Sequence, residues 1–331
     1  ANSPAALISY QPKLGVLKVS SYKDQLISMF DKEITLKGTL ILQKSGATGS
    51  GLIQFKEASL EAKAFNFNHE EIDSENANFA LKNRFTSFGE NPLAIQSDGV
   101  KSHVSFKERS GVFNSSGSKR IKFPANNYYC QMDKFIWQMD GEAIDFEKNG
   151  NGETSFESDA DLVANNFFSM EPEQDSLQFK SLSATYDLKT QSINCRRVEF
   201  VQVGDARIYP DSMLLRIRKA AKMDPLKNAT IISNFITKYH KFIDANVSIT
   251  SRLAYEGNCI FPFYDRDSSL TTIPLQSIQY RKDKKETVAI GEIPENRKFK
   301  LSKEFDYYGK IAVHASNPGL FLSGSTRINH A

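Results

Sequence analysis

The chain has 331 residues, of which 40% are hydrophobic and 24% are charged. This composition is too apolar for a disordered chain, in which low hydrophobicity accompanies high net charge, so a folded core is expected. The 42 basic and 39 acidic residues are mixed along the sequence and leave a formal net charge of +3, which gives no strong field to steer nucleic acid. We therefore expect no nucleic-acid partner.

The apolar runs and the N-terminus bear on localisation. No apolar run approaches the ~20 residues that a membrane-spanning helix needs, so no transmembrane segment is expected in this chain. The N-terminus lacks the basic and then apolar layout of a signal peptide. It opens Ala1-Asn2-Ser3-Pro4 without an initiator Met. That start is typical of a processed chain or of a piece of a longer protein, and both are compatible with a removed export signal.

Alternation of apolar and polar residues is the main rhythm of the sequence. It occurs at Leu36, Leu40 and Leu42, and then at Phe65 and Phe67, Val104 and Phe106, Ile121 and Phe123, and Val198, Phe200 and Val203. A period of two residues is typical of half-buried β-strands. Aromatic residues, at 11% of the chain, suit the same pleated surfaces. The sequence therefore predicts an all-β fold of short strands with little helix.

Turn residues divide the chain. The glycine-rich run from Gly46 to Gly51 predicts a hairpin turn before a strand at residues 52–55. It is not a dinucleotide-binding fingerprint, because a strand follows where the phosphate-binding helix should begin. A polar run at residues 148–158 is the best candidate boundary. We therefore expect a β-rich module with a glycine-rich hairpin over 1–150 and a β-repeat module over 151–331.

Two segments, residues 22–30 and 213–223, leave a helix as an alternative. In the second, Leu214, Ile217 and Ala221 have helical spacing behind a candidate cap at Asp211, and Pro225 would end the helix. The same segment also fits a strand. Its neighbours are strand-like, so the strand is the favoured interpretation.

A unit of a polar residue, Ala, any residue and a large apolar residue recurs along the chain. Its alanines are Ala58, Ala77, Ala160, Ala184, Ala206, Ala229 and Ala245. Chance predicts about six copies at this composition, so only the spacing carries weight. The intervals from Ala160 onward are 24, 22, 23 and 16 residues, in the range of one solenoid rung. The spacing predicts stacked short-strand repeats, as a β-solenoid or an open taco-like or jelly-roll-like stack, with coincidence as the alternative.

Three cysteines, Cys130, Cys195 and Cys259, are spread over the chain without a Cys-x-x-Cys pair. This arrangement excludes a zinc ribbon and a thioredoxin-type redox motif. We expect buried apolar thiols. One disulfide with a third, unpaired thiol is the alternative.

The motifs of several enzyme classes are absent from the sequence. The nucleophile elbow Gly-x-Ser-x-Gly, the phosphate loop Gly-x-x-x-x-Gly-Lys and the zinc helix His-Glu-x-x-His do not occur. Some carboxylate pairs would share one face of an extended chain, which acid–base chemistry or calcium binding could use, although such pairs are common in acidic turns. They are Asp73 with Glu75, Glu171 with Glu173, and Asp265 with Asp267. We therefore assign no catalytic residue, expect no cofactor and favour a role other than catalysis.

One segment has the oxygen spacing of a calcium loop. Asp145, Glu147, Asn149 and Glu153 occupy loop positions 1, 3, 5 and 9, with Gly150 at position 6. Position 12, where calcium loops have a bidentate Glu, is a Phe, and no flanking helix is indicated. An Asn-Gly hairpin turn is the favoured interpretation, and the four oxygen-bearing residues are weak metal candidates.

Residues 183–209 carry a pattern of three strand starts. An Ala-x-Tyr start at Ala184 leads to a turn, then to a short strand with Val198, then to an Ala-x-apolar strand from Ala206. This pattern resembles the OstA-like repeat over residues 160–250, although Arg196-Arg197 stands where that family often has Gly. The family includes the periplasmic lipopolysaccharide-transport bridge. The resemblance implies an exported β-repeat protein with a lipid ligand.

Other segments resemble long cell-envelope proteins of Bacteroidota. They are Gly49-Ser50-Gly51 ahead of an Ala-Ser-Leu strand, and the run Phe-Pro-Ala-Asn-Asn-Tyr-Tyr-Cys-Gln-Met-Asp at residues 123–133. Ser176 and Ser212 each lie in an Asp-Ser-apolar triplet that fits the O-glycosylation acceptor of that phylum. The resemblance implies a protein of the periplasm, the outer membrane or the cell surface, and it assigns no active-site residue.

These observations favour one function over two alternatives. The favoured one is a non-catalytic scaffold or binding protein of the cell envelope, with its strand stack cradling a lipid or glycolipid. Its partners would be envelope lipids, glycans or other envelope proteins. The alternatives are a carbohydrate-active β-helix enzyme and a fragment of a surface adhesin. A surface row of carboxylates, basic residues and aromatics would favour the enzyme, and a row of Phe lining an open groove would favour the lipid.

Overall fold

Strands and tight turns make up the regular structure of the chain. The computed structural model describes residues 3, 5–115, 119–148, 165–265 and 267–328. Among these residues are 28 strands and four short 3₁₀ turns, at Pro124–Asn126, Pro172–Gln174, Asp211–Met213 and Glu295–Arg297, and no α-helix. The all-β prediction with little helix is confirmed. None of the described residues belongs to a helix long and apolar enough to cross a membrane.

The strands are numbered in chain order. The first sixteen are β1 (Ala6–Gln11), β2 (Val16–Ser21), β3 (Ile27–Met29), β4 (Ile34–Gln43), β5 (Gly46–Phe55), β6 (Ala58–Asn68), β7 (Glu71–Lys82), β8 (Leu93–Ser105), β9 (Ser110–Asn114), β10 (Ile121–Phe123), β11 (Tyr128–Cys130), β12 (Lys134–Gln138), β13 (Ala143–Glu147), β14 (Phe167–Ser169), β15 (Gln178–Phe179) and β16 (Ser183–Asp187). The others are β17 (Ser192–Arg196), β18 (Val201–Val203), β19 (Ala206–Tyr209), β20 (Leu214–Ile217), β21 (Leu226–Ser233), β22 (His240–Ser251), β23 (Ala254–Tyr264), β24 (Leu270–Arg281), β25 (Glu286–Ile293), β26 (Phe299–Lys300), β27 (Phe305–His314) and β28 (Leu320–Ile328).

The chain forms two compact units. Unit 1 consists of Ala1–Leu162, Leu182–Asn194 and Arg218–Ala220, and unit 2 consists of Val163–Ser181, Cys195–Ile217 and Ala221–Ala331. The units therefore interleave along the sequence. The boundary expected near residue 150 lies outside the described residues, and the modules 1–150 and 151–331 stay a prediction.

Unit 1 contains a run of antiparallel strands that divides at β8. Strands β1, β2, β4, β5, β6, β7 and β8 pair in that order, and β3 pairs with the first part of β4. The first part of β8 pairs with β10, and its last part pairs with β9. One branch continues from β10 to β11, and the other continues from β9 through β12 and β13 to β16.

Aromatic rings fill the core of unit 1. Phe123 of β10 contacts Phe146 of β13 and Tyr186 of β16, with ring centroids 5.3 and 5.7 Å apart. Phe79 of β7 contacts Phe113 of β9 at 4.2 Å. These five rings are at most 1% exposed, and burying each contributes roughly 2–3 kcal/mol. They therefore form the packed interior between the branches.

Most strands of unit 2 form one antiparallel ladder. Its strands pair in the order β14, β15, β18, β19, β21, β22, β23, β24, β25, β27 and β28, with β26 on the start of β27. Register shifts interrupt the ladder within the β21–β24 region, for example between Ile243 and Asn246 of β22. Such bulges bend a strand and turn individual side chains toward the surface.

All of these pairings are antiparallel, whereas stacked solenoid rungs pair in parallel. The structure therefore gives no support to the solenoid and repeat terms of the prediction. The alanine units do mark inward positions of strands. Ala160 lies outside the described residues, and the other six alanines are between 0 and 3% exposed. Ala229 and Ala245 lie directly opposite each other, so small side chains there let neighbouring strands carry bulky residues beside them.

The helical alternative for residues 213–223 is wrong. The segment contains β20, in which buried and exposed residues alternate, followed by an isolated bridge from Ile217 to Met223. Residues 22–30 contain the short strand β3 and no helix. In β20, Leu215 and Ile217 face the core two residues apart, and that period outweighs the helical spacing.

The glycine-rich hairpin is present, but its turn lies earlier than expected. Gln43 of β4 pairs with Gly46 of β5, so Lys44 and Ser45 form the turn. Gly51 lies inside β5, opposite Gly38 of β4. The glycines therefore serve the close approach of two strands rather than the turn.

The three cysteines are buried thiols. Cys130, Cys195 and Cys259 are at most 3% exposed, and no disulfide joins them. The favoured interpretation from the sequence is confirmed, and the single-disulfide alternative is wrong.

Candidate functional site

A polar groove crosses β5 to β9 on the exposed face of unit 1. Its volume is about 490 Å³, which falls within the roughly 300–1,000 Å³ typical of small-ligand sites. Strand alternation places its side chains: in β7, Ile72 and Ser74 are buried, while Asp73 and Glu75 point outward into the groove.

Strand register aligns the polar residues of the groove. Asp73 lies between Asn66 of β6 and His103 of β8, directly opposite both. Lys101, two residues before His103, lies opposite Asn114 of β9. Each strand thus adds one or two polar side chains to a row that runs across the sheet.

Asp73 connects two neighbours within the groove. Its Oδ1 lies 2.7 Å from His103 Nδ1, and its Oδ2 accepts a hydrogen bond from Asn68 Nδ2 at 3.2 Å. A carboxylate oxygen can only accept, so Nδ1 of His103 carries a proton and donates this hydrogen bond. Asp73 therefore fixes the orientation of the His103 ring.

A second charge pair lies beside the first. Lys101 Nζ is 2.8 Å from Glu75 Oε1. The hydrogen bond to Glu75, together with its charge, raises the pKa of Lys101, so the ammonium stays protonated at neutral pH. The groove thus combines two carboxylates, an ammonium, an imidazole and amides, which supply both donors and acceptors.

Unit 2 also has polar grooves on its sheet. Two adjoining grooves of about 590 and 470 Å³ share Asn246 and Asn258. Asn246 Nδ2 donates to Asn258 Oδ1 at 3.3 Å. Amide side chains again supply donors and acceptors together.

No protein-family model, curated protein or solved structure matches the chain. The geometry of these surfaces is therefore the guide to function.

Two of the four weak metal candidates lie in the part of the chain that the structure describes. Asp145 and Glu147 lie on the exposed face of β13, and Asp145 Oδ1 accepts a hydrogen bond from Thr185 Oγ1 at 2.8 Å. Asn149 and Glu153 lie outside the described residues, so the calcium-loop interpretation stays a prediction. Within the part of the chain that the structure describes, no group of three or more His, Cys, Asp or Glu residues could hold a metal ion.

Of the carboxylate pairs noted in the sequence, one lies in the groove. Asp73 and Glu75 share the outward face of β7, as their spacing indicates. Asp265 instead accepts the backbone N–H groups of Asp267 and Ser269 and so stabilises a turn. The sequence did not single out the groove partners Asn68, Lys101 and His103. These residues share one signal, polar residues two positions apart on neighbouring strands, as in Asn66 with Asn68 and Lys101 with His103.

A buried polar cluster in unit 2 contains further titratable groups. Asp205, 8% exposed, accepts hydrogen bonds from the backbone N and from Oγ1 of Thr287, at 3.0 and 2.6 Å. Tyr255 Oη lies 2.8 Å from the same Thr287 Oγ1. Burial raises the pKa of Asp205 and, more strongly, that of Tyr255. Because these groups form hydrogen bonds with one another inside the core, we expect them to stabilise the fold of unit 2.

Proposed function

We propose that this chain is a non-catalytic binding protein whose groove in unit 1 holds a hydroxyl-rich ligand of the carbohydrate class. The observation that carries the proposal is the aligned row of Asn66, Asp73 and His103, with Asn68 and Lys101 beside it. A sugar hydroxyl is both donor and acceptor. Alternating amide, carboxylate and ammonium groups can therefore pair with neighbouring hydroxyls of one ring.

The chemistry of the groove favours a polar ligand over an acyl chain. An acyl chain needs an apolar lining, but the side chains that face this groove are mostly amides and charged groups. The phenylalanines that could line a lipid groove, such as Phe79 and Phe113, are buried in the core of unit 1. A glycan, or the sugar part of a glycolipid, is the envelope ligand that fits best.

The cell-envelope location is part of this proposal and rests on the sequence resemblance. Cell fractionation of the producing organism tests it, because an envelope protein is recovered with periplasmic or membrane fractions. Recovery with cytoplasmic markers alone would contradict it.

The groove is tested with the variant Asn66→Ala/Asn68→Ala. A glycan array first identifies a binding oligosaccharide, and calorimetry then measures its affinity for the wild type and the variant. Loss of two hydrogen bonds of about 1 kcal/mol each should weaken binding by roughly tenfold or more. Glu61→Gln, an exposed change on the same strand β6 but outside the groove, should leave the affinity unchanged.

Two results would contradict the proposal. One is the absence of binding to any neutral or acidic glycan on the array. The other is equal affinity of wild type and Asn66→Ala/Asn68→Ala for the glycan that does bind.

A second candidate function, glycan cleavage, is favoured by one observation. Asp73 orients His103 in the same groove as Glu75, and an oriented imidazole beside carboxylates can transfer protons. If the groove is catalytic, the glycan that binds will be cleaved, and Asp73→Asn will abolish product while retaining binding. Mass spectrometry of the glycan after incubation with the protein distinguishes the two functions, because an intact glycan indicates binding without cleavage.

A further inference from the structure

A second surface cluster lies on unit 2 around Arg207 of β19. The guanidinium carbon of Arg207 lies 4.7 Å from the ring centroid of Phe200 and 5.2 Å from that of Phe235. The rings of Phe200 and Tyr209 are 5.6 Å apart. All four side chains are half-buried, so solvent reaches a cation that is stacked on aromatic rings.

The backbone holds the parts of this cluster in place. Arg207 alternates with buried residues along β19 and so points to the outer face. Phe235 lies in the turn between β21 and β22, and its N–H donates to the backbone oxygen of Asp205 at 2.9 Å. The aromatic contact of Arg207 is therefore set by the sheet and by a hydrogen-bonded turn.

Arg207 has hydrogen-bonding capacity that its described neighbours do not use. Its Nε is buried and has no hydrogen-bond partner among the described residues. Other arginines of this chain form ion pairs, as Arg109 does with Asp140 and Arg252 with Asp175, whereas no described carboxylate pairs with Arg207. A guanidinium stacked on rings still offers N–H groups at its edge to an acceptor in its plane.

Strand register adds a second cation to the same face. Arg207 lies opposite Gln202 of β18 and Ile232 of β21, and Ile232 lies opposite Lys241 of β22. Two strand spacings place Lys241 about 10 Å from Arg207 along this row. Lys241 is exposed, and the row contains no carboxylate.

We infer that this cluster binds a carboxylate-bearing ligand that contains a ring. Because Nε is buried, the carboxylate pairs with the two Nη groups of Arg207, whose parallel N–H bonds match two carboxylate oxygens. The ring packs on Phe200 and Tyr209, and Lys241 adds long-range attraction. The ligand's ring is that of a hexuronate or of an aromatic acid. The inference does not depend on the groove of unit 1, because the two surfaces share no residue.

The wild-type protein is tested first, by titration monitored through the ¹³C-methyl signal of Ile232. The probes are a galacturonate trisaccharide, the matching neutral galactose trisaccharide, and benzoate. We expect the Ile232 signal to shift with galacturonate or with benzoate, and which of them binds identifies the source of the carboxylate. The neutral trisaccharide should cause no shift. A wild type whose Ile232 signal responds to neither carboxylate, or responds equally to the neutral sugar, overturns the inference.

Variants then assign the interaction to Arg207. Arg207→Gln should weaken carboxylate binding by about tenfold or more, and Arg207→Lys, which keeps the charge but loses the fork, by about fivefold. Lys300→Gln removes one positive charge from an exposed position of β26 and should change the affinity less than about twofold. Circular dichroism confirms that each variant is folded. Equal affinities for the wild type and a folded Arg207→Gln overturn the inference.

Discussion

A single hydroxyl connects two buried polar groups in unit 2. Thr287 Oγ1 lies 2.6 Å from the Asp205 carboxylate and 2.8 Å from the Tyr255 hydroxyl. A carboxylate only accepts, so Thr287 donates to Asp205 and accepts from Tyr255. Burial raises the pKa of Asp205, so each hydrogen bond it receives offsets part of the desolvation of its charge. The energetics of this chain of hydrogen bonds should therefore be coupled.

A double-mutant cycle on Thr287 and Tyr255 tests this coupling. Thr287→Val keeps the shape and removes the hydroxyl, so the free energy of unfolding should fall by about 2–3 kcal/mol. Tyr255→Phe should lower it by about 1 kcal/mol in the wild type. In the Thr287→Val background the same change should be neutral or stabilising, because it removes a hydroxyl that has already lost its partner. Chemical denaturation followed by circular dichroism measures all four proteins, and additive effects would show that the two groups are independent.

Close approach of two strands in unit 1 depends on a pair of glycines. Gly38 of β4 lies directly opposite Gly51 of β5. A Cβ atom on Gly38 would lie 2.0 Å from the backbone oxygen of Ser50 and 2.9 Å from Cα of Gly51. No side chain fits there unless the strands separate.

Gly38→Ala should therefore destabilise unit 1 by about 3 kcal/mol or more, because the clash is with backbone and not with a flexible side chain. Gly15→Ala is the matched control. Gly15 has a φ of +62° but open space around it. Gly15→Ala should therefore lower the free energy of unfolding by only about 1 kcal/mol, through backbone strain. Denaturation midpoints of the two variants make the comparison. Equal losses of stability in the two variants would mean that β4 and β5 can separate enough to admit a Cβ atom at Gly38 without additional destabilisation.

The strands could be predicted from the sequence, but their pairing could not. Alternation is a local property, and it correctly indicated inward positions such as Leu36, Phe65 and Phe123. The spacing of the recurring alanines suggested rungs, because regular intervals arise equally from parallel rungs and from antiparallel strands of similar length. The choice between them depends on contacts far apart in sequence, such as β13 with β16 and β19 with β21. A single sequence does not contain that information in readable form.

Only part of the candidate groove could be predicted from the sequence, for the same reason. Asp73 and Glu75 could be placed on one face of β7 by their spacing of two residues. Their partners Lys101 and His103 lie far away in the sequence, and 30 positions separate Asp73 from His103. Only the register of β7 against β8 brings them together. The cluster around Arg207 was missed because two of its rings, Phe200 and Phe235, lie outside the strands. The alternation noted at Phe200 therefore gave no sign that these rings meet Arg207.

Both units present polar chemistry on the outer faces of their sheets. Unit 1 carries the groove around Asp73, and unit 2 carries the grooves that share Asn246 and the cluster around Arg207. The inner faces are apolar and aromatic. The sheets thus separate a packed core from surfaces rich in hydrogen-bonding groups.

Three buried thiols make it possible to follow the unfolding of both units by chemical labelling. Cys130 lies in unit 1, whereas Cys195 and Cys259 lie in unit 2. Burial raises the pKa of Cys130, and it raises that of Cys259 to about 12, so little reactive thiolate is present in the folded state.

We therefore expect less than one thiol per chain to react with a thiol reagent under native conditions and three to react after denaturation. Mass spectrometry of protein labelled at increasing urea assigns each modified cysteine. Labelling of Cys130 then reports the opening of unit 1, and labelling of Cys259 reports that of unit 2. Because no disulfide joins the cysteines, treatment with a reductant should change neither the number of thiols nor the thermal stability. A count of one thiol in the denatured, unreduced protein would contradict this expectation, since one disulfide would then hold the other two.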